Sequence, residues 1–311
     1  EHLKNITKYL GGPNIFIKRD DCTGLATGGN KTRKLEFLIP DAIKNKAELV
    51  VTVGAVQSNH ARQTAAACTI MGLKCLIILE QRVKDPPEIY MNSGNVFLNK
   101  LFGADIKICP KNENFLEYYE KVIKDLQAKG TNVYFIPGGG SNPIGALGYV
   151  ECLNEIIKEN NKYNFSQIVH ATGSAGTQAG LLAGRKYFNC NIPIIGICIR
   201  YNKSIQVNKV YSEAKKTCEK LQCNVLDKSE VIVYDEYIGP GYGEPSDDMI
   251  EATKLLSKKE GILLDPVYSG KGFAGLLGLI KNKKFTKNDN VLFIHTGGAV
   301  SLSAYEWAFN K

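Results

Sequence analysis

The stretch that decides the fold is residues 48–71, ELVVTVGAVQSNHARQTAAACTIM. Its first part, Glu48–Gly54, is a short apolar run that predicts a buried strand, and Ser58–Met71 predicts a helix. A strand without polar alternation that leads into a helix is typical of a parallel sheet covered on both faces. Consecutive polar side chains, Gln57–His60, follow the strand, and ligands bind at the carboxyl ends of strands in such sheets.

The same alternation of short apolar runs and longer amphipathic stretches extends outward along the chain. Further strands are predicted at Lys74–Leu79, Asp105–Cys109, Asn132–Ile136, Gln167–Ala171, Ile194–Ile199, Val231–Tyr234 and Asn290–His295. Further helices are predicted at Lys31–Ala42, Glu88–Leu101, Asn114–Ala128, Pro143–Glu159, Gly176–Tyr187, Ser204–Lys220, Ser246–Lys259, Gly270–Ile280 and near Ala299–Phe309. The 311 residues therefore predict an α/β protein with mainly parallel sheets, as two lobes or one large domain.

Composition excludes several classes of protein. The hydrophobic fraction of 44% and the charged fraction of 23% are ordinary for a soluble enzyme. No apolar run approaches the roughly 18 to 20 residues of a membrane span, so no membrane partner is expected. A nucleic-acid-binding surface concentrates basic residues near stacking aromatic rings. The net charge of +8 comes mainly from dispersed lysines, which favours a solvated surface and no nucleic-acid partner.

Cysteine and histidine usage bears on compartment and metal binding. The nine cysteines are an odd number and lie mostly within apolar runs, which favours reduced thiols and a cytoplasmic location. There is no Cys-x-x-Cys, and the four histidines are far apart in sequence, so no metal site is expected. The first residues, Glu1–Asn5, lack both a signal-peptide pattern and an initial Met, which leaves a removed targeting peptide as an open alternative.

Upstream of the first predicted strand, residues 27–34, TGGNKTRK, place Lys31 at the start of a predicted helix. Helix N-termini attract anions and raise the local polarity. Lys31 is therefore a candidate Schiff-base lysine. A glycine turn followed by a basic, solvated helix gives the same pattern, so this alternative stays open for the segment by itself.

The clearest signal for a bound phosphate is TGSAGTQ, residues 172–178, between a predicted strand and a predicted helix. Small residues let backbone N–H groups converge, and the helix dipole favours an anion. The glycine spacing differs from that of dinucleotide-binding folds and P-loops, so one phosphate fits better than ADP-ribose or a triphosphate. A tight strand-to-helix turn without a ligand is the alternative.

Polar or glycine-rich residues follow other predicted strands. The segment Gln57–His60 has more polar side chains than helix capping needs and could hold a substrate carboxylate, although Ser and Asn are ordinary caps. Tyr242 in GPGYG and Tyr268 in DPVYSGK are candidates for ring stacking or proton transfer, with core packing as the alternative. His295 is more typical of a hydrogen-bonded core histidine than of a base. Residues 138–143 could form a ligand loop, but helix capping with Pro at the first helical position explains them adequately.

Five motifs, in one order, resemble a known family: GGNKTRKLE around Lys31, QSNH, TGSAGT, PVYSGK and HTGG. From about Ile15 to Trp307 the chain resembles the pyridoxal-phosphate enzymes of fold type II, in the group of D-cysteine desulfhydrase and 1-aminocyclopropane-1-carboxylate deaminase. The resemblance implies a two-domain, tryptophan synthase β-like fold in which each domain is a mainly parallel twisted sheet with helices on both faces. Residues 1–34 and 141–311 are expected to form the large, cofactor-binding domain, with residues 35–140 inserted as the small domain.

The resemblance also implies roles by position. Lys31 matches the lysine that forms a Schiff base with pyridoxal 5'-phosphate, and Asn59 matches the asparagine that contacts the 3-hydroxyl of the cofactor. Ser58 matches the serine that contacts the substrate carboxylate or the reacting carbon. The expected catalytic residues are Lys31, Ser58, Tyr242 and Tyr268. The cofactor is expected to contact Lys31, Asn59, Gly173, Ser174, Ala175, Gly176, Thr177, Ser269, Thr296 and Gly297, and the substrate Gln57, Ser58, Asn59 and His60.

Substrate choice in this group is implied by two positions. Deaminases typically have Glu after Pro-Val-Tyr and Leu before the last Gly-Gly, whereas desulfhydrases have Ser or Thr and then Thr. This chain has Ser269 and Thr296. The expected reaction is β-elimination of D-cysteine to pyruvate, hydrogen sulfide and ammonia, with a small amino acid as substrate and a homodimer as assembly. The deaminase, an L-cysteate sulfo-lyase and a catalytically silent binding protein are the alternatives.

Overall fold

The computed structural model describes residues 1–310, which contain two separate parallel sheets. The strands are β1 (Asn14–Arg19), β2 (Leu49–Ala55), β3 (Lys74–Glu80), β4 (Asp105–Ile108), β5 (Val133–Ile136), β6 (Gln167–Thr172), β7 (Ile194–Cys198), β8 (Ile232–Tyr234) and β9 (Asn290–His295). One sheet has the order β1-β9-β6-β7-β8, and the other has the order β4-β3-β2-β5. Every pairing within them is parallel. The predicted α/β class with parallel sheets is confirmed.

The α-helices are α1 (Lys4–Leu10), α2 (Lys31–Lys44), α3 (Asn59–Ile70), α4 (Glu88–Asn92), α5 (Gly94–Leu101), α6 (Phe115–Ala128), α7 (Pro143–Tyr163), α8 (Gly176–Tyr187), α9 (Lys203–Leu221), α10 (Asp247–Glu260), α11 (Ser269–Lys281) and α12 (Glu306–Phe309). Some of them cover both faces of the five-stranded sheet. Successive residues of β6 enter different cores, because side chains alternate across a strand. Ile168 belongs to the core under α7, α8 and α9, and Val169 belongs to the core under α1, α10 and α11.

The sequence predicted one helix over Glu88–Leu101, and this prediction is wrong. The helix is interrupted between α4 and α5, where Ser93 is extended and Gly94 has a φ of +57°. The side chain of Gln57 occupies the break: its Nε2 donates to the carbonyl oxygens of Tyr90 (2.6 Å) and Ser93 (2.9 Å). A Cβ atom at position 94 would lie 2.7 Å from Gln57 Oε1, so the backbone must be glycine here.

Three other elements depart from the predicted pattern. Helix α1 and strand β1 were not predicted; β1 ends in two charged residues, Lys18 and Arg19, that form ion pairs with Glu155 and Asp21. The final predicted helix is mostly a 3₁₀ helix over Ala299–Tyr305. Hydrophobic periodicity therefore did not predict these elements at the two ends of the chain, because ion-paired residues and irregular backbone interrupt the pattern.

The four-stranded sheet is built entirely from strands within residues 49–136. All four strands lie inside the segment 35–140 that was expected to form an inserted small domain. The boundaries at 34 and 141 stay a prediction. Within residues 1–310, no helix is both long and apolar enough to cross a lipid bilayer.

Candidate active site

A cavity of about 540 Å³ lies where the carboxyl ends of the two sheets meet. Residues that follow β2, β5, β6 and β7 line it, as expected for a ligand site in parallel sheets. A smaller recess of about 30 Å³ adjoins the cavity. Both are lined by Lys31, His60, Gly173, Ser174, Ala175 and Tyr268. The structure therefore brings together segments that are up to about 240 residues apart in sequence, 268 − 31 = 237.

Lys31 is the first residue of α2, and its amine faces this shared space. Its Nζ donates to Asn30 Oδ1 at 2.9 Å, and Asn30 Nδ2 donates to Thr177 Oγ1 at 3.1 Å. The pKa of Lys31 is lowered to about 8, mainly by burial; the Asp265 carboxylate opposes this shift, and the Arg62 guanidinium contributes to it. A lysine with such a pKa is partly unprotonated near neutral pH and can act as a nucleophile or base.

The start of α2 is fixed by a buried ion pair. Arg33 donates from Nε and Nη2 to the carboxylate of Asp20, both at 2.9 Å, and the Tyr149 hydroxyl donates to the same carboxylate at 2.6 Å. Helix α7 approaches α2 so closely at Gly148 that a Cβ atom there would lie 2.1 Å from the carbonyl oxygen of Arg33. These contacts hold the start of α2, and with it Lys31, against Asp20 at the end of β1 and against α7.

The loop Gly173–Ala175 leads into α8, and its backbone is suited to an anion. Ala175 has a φ of +80°, and its own side chain makes no capping hydrogen bond to the helix N-terminus. Gly173, Ser174, Ala175 and Thr177 line the recess, whereas Gly176 does not and donates its N–H to Ser141 Oγ at 3.1 Å. Unpaired N–H groups at the start of a helix bind phosphate.

A second glycine loop completes this side of the cavity. Residues 138–140 were interpreted as part of a helix cap, but Pro137, Gly138, Gly139 and Ser141 line the cavity. Lys34 lies beneath them: its Nζ donates to the carbonyl oxygen of Gly139 at 2.9 Å. Burial lowers the pKa of Lys34 well below its usual value, and neighbouring Lys31 adds to the effect.

Asn59 is oriented by two neighbours. Its Oδ1 accepts from Arg62 Nη1 (3.0 Å) and from Asn95 Nδ2 (2.9 Å). Arg62 also donates to Asn95 Oδ1 at 2.7 Å, and burial lowers the pKa of its guanidinium to about 10. With its oxygen committed, Asn59 has its Nδ2 donor left for a ligand in the recess.

Three further residues of the predicted polar segment have different environments. Ser58 caps α3 by accepting from Ala61 N at 3.2 Å, and it lines the cavity. Gln57 does not line the cavity, because its amide is used in the break between α4 and α5; its contact with substrate stays a prediction. His60 lines the cavity, and its Nε2 is 2.8 Å from Thr52 Oγ1.

Tyr242 and Tyr268 meet at the cavity. Their hydroxyl groups share a hydrogen bond, and their rings are edge to face with centroids 5.9 Å apart. Burial, followed by neighbouring Tyr242, raises the pKa of Tyr268 well above its usual value, so its phenol stays protonated. The Nζ of Lys31 is 6.0 Å from the centre of the Tyr268 ring.

The last three predicted cofactor contacts differ in their surroundings. Thr296 and Gly297 line the recess. Ser269 does not, because its hydroxyl donates to Asp265 Oδ1 at 2.7 Å and accepts from Asp265 N at 2.8 Å. His295 is a hydrogen-bonded core histidine, as interpreted, with Nε2 2.9 Å from the carbonyl oxygen of Leu263.

Several residues of the site escaped the sequence analysis. Three of them, Asn30, Arg62 and Asp265, lie within or beside the quoted motifs. Each is a polar or charged residue at a buried position, and this is the signal that could have identified them. The outer lining residues Arg82, Arg200, Tyr201, Asn208, Lys209, Ser212 and Glu213 gave no motif at all. Among residues 1–310, no group of three or more His, Cys, Asp or Glu side chains is placed to hold a metal ion.

Comparisons with known proteins agree with this geometry. A family model described as pyridoxal-phosphate dependent enzyme matches residues 1–297. The chain is similar to a crystal structure described as an ACC deaminase homologue, with 36% sequence identity and a TM-score of 0.90 over 100% of this chain and 92% of the other. It is also similar to a hydrogen sulfide-producing enzyme from Fusobacterium nucleatum, with 18% identity and a TM-score of 0.64 over 93% and 91% of the two chains. The second similarity shows the fold alone.

Proposed function

Since this chain belongs to the family of pyridoxal-phosphate-dependent enzymes, we propose that it is a lyase that converts D-cysteine to pyruvate, hydrogen sulfide and ammonia. The observation that carries the proposal is the hydroxyl side chain of Thr296, which lines the recess together with Lys31 and Asn59 where deaminases have Leu. Ser269 is the other hydroxyl, at the position where deaminases have Glu. A carboxylate at position 269 would favour a protonated ring nitrogen and a stronger electron sink. Expelling an anion from Cβ needs less electron storage than opening a cyclopropane, so a hydroxyl suits elimination.

The carboxylate of Asp265, which acts on the pKa of Lys31, is not available to contact a ring nitrogen in the recess. Asp265 is fully buried and accepts hydrogen bonds from the backbone N–H groups of Val267 and Tyr268 and from Ser269. It does not line the cavity or the recess. Burial raises the pKa of Asp265, although these hydrogen bonds oppose the shift. The carboxylate oxygens of Asp265 therefore accept hydrogen bonds that hold the segment carrying Tyr268.

The residues of the recess fit pyridoxal phosphate. Lys31 has a lowered pKa and would bind the aldehyde, and Asn59 offers an uncommitted Nδ2 for the 3-hydroxyl. The N-terminus of α8 would bind the phosphate through the loop Gly173–Thr177, in which the N–H of Gly176 donates to Ser141 Oγ. Space for the ring depends on Gly298, where a Cβ atom would lie 2.6 Å from Asn59 Nδ2. When bound, pyridoxal phosphate supplies an electron sink for negative charge at Cα of the attached amino acid.

The chain's own groups account for the remaining requirements. Lys31, partly unprotonated near neutral pH, is the nearest base for the Cα proton. Ser58, together with the first N–H groups of α3, is placed to hold the substrate carboxylate. The hydrogen-bonded hydroxyls of Tyr242 and Tyr268 can hold a proton at the cavity wall. Hydrosulfide leaves with the Cβ–S electron pair, and the remaining unsaturated amine hydrolyses to pyruvate and ammonia.

The absorption spectrum of the purified protein tests the cofactor role of Lys31. We expect a band at the edge of the visible range that is absent from Lys31→Ala and present in Lys44→Ala. Lys44 is an exposed lysine in the last turn of the same helix, so it is a matched control. A wild-type protein that stays colourless with added pyridoxal phosphate would contradict the proposal.

A panel of substrates tests the reaction. D-cysteine, L-cysteine, L-cysteate and the cyclopropane amino acid are assayed side by side for sulfide, sulfite, pyruvate and ketobutyrate. We expect sulfide and pyruvate from D-cysteine and not from L-cysteine. The second candidate is the cyclopropane deaminase, which is favoured by the similarity to a structure described as an ACC deaminase homologue. Ketobutyrate as the main product would support it, and sulfite from L-cysteate would support a sulfo-lyase.

We further propose that residues 1–34 and 141–311 form the cofactor-binding domain and that residues 35–140 form an inserted domain. The support is the separate four-stranded sheet within 49–136. A homodimer and a cytoplasmic location stay predictions. Sedimentation of the purified protein tests the first, and fractionation of cells tests the second.

A further inference from the structure

The outer part of the cavity has an excess of positive charge that the proposed reaction does not use. Arg82, Arg200 and Lys209 line it, and Glu213 is the acidic residue among its described lining residues. Arg82 is paired with Glu80. Within residues 1–310, neither Arg200 nor Lys209 has a carboxylate within the 4.0 Å of an ion pair. Arg200 therefore faces the cavity without a protein counter-ion, and Lys209 is an exposed cation that acts on the Glu213 carboxylate, one helical turn away, without a direct ion pair.

Aromatic rings fix the position of these cations. The guanidinium carbon of Arg200 is 4.8 Å from the centre of the Tyr201 ring and 5.7 Å from that of Tyr242. Lys209 Nζ is 5.1 Å from the centre of the Tyr201 ring. Stacking on a ring leaves the in-plane N–H groups of a guanidinium free to donate. Arg200 is therefore held by contacts that do not use its hydrogen-bond donors.

These cations lie beside the reacting end of the cavity. Tyr242, the ring beneath Arg200, shares a hydrogen bond with Tyr268, and the Tyr268 ring lies beside Lys31. Ser58, proposed to hold the α-carboxylate of the substrate, lines the same cavity from α3. The side chain of a bound amino acid therefore has two anchored cations within the space that it can enter.

We propose that Arg200 and Lys209 form a second anion subsite, which binds a carboxylate or sulfonate on the side chain of an amino acid in the cavity. The inference rests on the proposed function, since it concerns the same cavity, and it adds a class of ligand to D-cysteine: amino acids with a second acidic group. A guanidinium binds such groups through two parallel N–H bonds. Substrates with an uncharged side chain leave both cations unpaired and bind more weakly.

One other anion could use these cations. Ile199, which precedes Arg200, packs on the phosphate-binding loop so closely that a Cβ atom at Gly173 would lie 2.7 Å from Ile199 Cδ1. A role for Arg200 in holding the cofactor phosphate would weaken cofactor binding on substitution. A substrate subsite would instead change the discrimination between amino acids of different charge.

Aspartate and asparagine separate these roles, because they are nearly identical in shape and differ in side-chain charge. Dissociation constants for both, as D and L enantiomers, are measured from the change in visible absorbance of the cofactor-loaded protein. We expect aspartate of the accepted enantiomer to bind at least about tenfold more tightly than asparagine, the size of one charge-assisted hydrogen bond. In Arg200→Gln this ratio should fall to within about twofold, with a smaller fall in Lys209→Gln.

The control is Lys287→Gln, which removes an exposed lysine outside the cavity lining and should leave the ratio unchanged. Equal binding of aspartate and asparagine by wild type, or no binding of either, contradicts the subsite. A loss of affinity for pyridoxal phosphate in Arg200→Gln with an unchanged ratio assigns the cation to the cofactor and also overturns it. Because the readout needs no turnover, an aspartate preference without sulfide release from D-cysteine would refute the proposed reaction and retain the subsite.

Discussion

Two buried lysines, Lys31 and Lys271, have similar electrostatics and different surroundings. Each lies in the first turn of a helix, and burial lowers the pKa of each to about 8. The Nζ of Lys271 donates to the carbonyl oxygens of Ile238 (2.7 Å) and Gly241 (2.6 Å), and it does not line the cavity. The Nζ of Lys31 has one protein acceptor, Asn30 Oδ1, and faces the cavity. A lowered pKa therefore does not identify a reactive amine; donor capacity left over for a ligand does.

The largest expected effect is on turnover in Lys31→Ala. Removing the proposed base and cofactor lysine should lower kcat for D-cysteine by at least about 10³-fold. The measurement is sulfide release under saturating substrate with added pyridoxal phosphate. A variant that keeps more than a tenth of wild-type activity would remove the distinction between the two lysines.

The pH dependence of stability in the cofactor-free chain gives the next effect. Because the pKa of Lys31 falls from 10.5 to about 8 on folding, the unfolded chain binds a proton between these values that the folded chain has released. Stability therefore rises with pH across that window and is constant with respect to this group below it. Relative to Lys31→Met, wild type should gain up to about 3 kcal/mol between pH 8 and pH 10.5. Urea unfolding at both pH values measures it, and a constant difference would count against the buried amine.

Lys271→Met should act mainly on stability. It leaves the carbonyl oxygens of Ile238 and Gly241 without their donor and should cost about 2 kcal/mol in urea unfolding. The loop that it releases carries Tyr242, so we expect kcat to fall by about tenfold. Lys281→Met, an exposed lysine at the end of the same helix, is the control. If Lys271→Met abolished turnover and left the stability unchanged, Lys271 would have a role in the reaction, as proposed for Lys31, and the contrast between the two lysines would be wrong.

The smallest expected effect is in Tyr242→Phe. It removes the hydroxyl bonded to Tyr268 and retains the ring that packs against Arg200. The loss of one hydrogen bond, about 1 kcal/mol, should lower kcat by about fivefold. Steady-state kinetics with D-cysteine measure it. A fall beyond about 100-fold would assign proton transfer to Tyr242 itself.

Sequence periodicity was sufficient for the central elements of the fold. Strand β9 and helix α8 have the predicted bounds, and β2 differs by one residue at each end. These elements are apolar or amphipathic throughout, so their own composition specifies them. The break between α4 and α5 was missed because it depends on the side chain of Gln57, which comes from a distant segment.

The site was predictable where a residue acts through its backbone turn or local motif. Lys31, Asn59 and the loop Gly173–Ala175 lie together as anticipated, although their roles stay proposals. Ser269 was placed by a motif, but its hydroxyl turns to Asp265. Arg200 could not be identified as a site residue from sequence. Its role depends on two tyrosine rings and on the lack of a carboxylate within ion-pair distance, and the neighbouring residues in sequence do not reveal these contacts.

The close approach at Gly148 predicts which positions of this protein do not tolerate substitution. Helix α7 lies between α2 and α8 and contacts both closely. Gly148 of α7 contacts the backbone of Arg33, and a Cβ atom at Gly180 of α8 would lie 2.2 Å from the carbonyl oxygen of Ala146 in α7. Any side chain at these glycines pushes apart the helices that carry Lys31 and the loop proposed to bind phosphate. In a saturation screen for activity, both glycines should be as intolerant of substitution as Lys31, although neither lines the cavity or the recess.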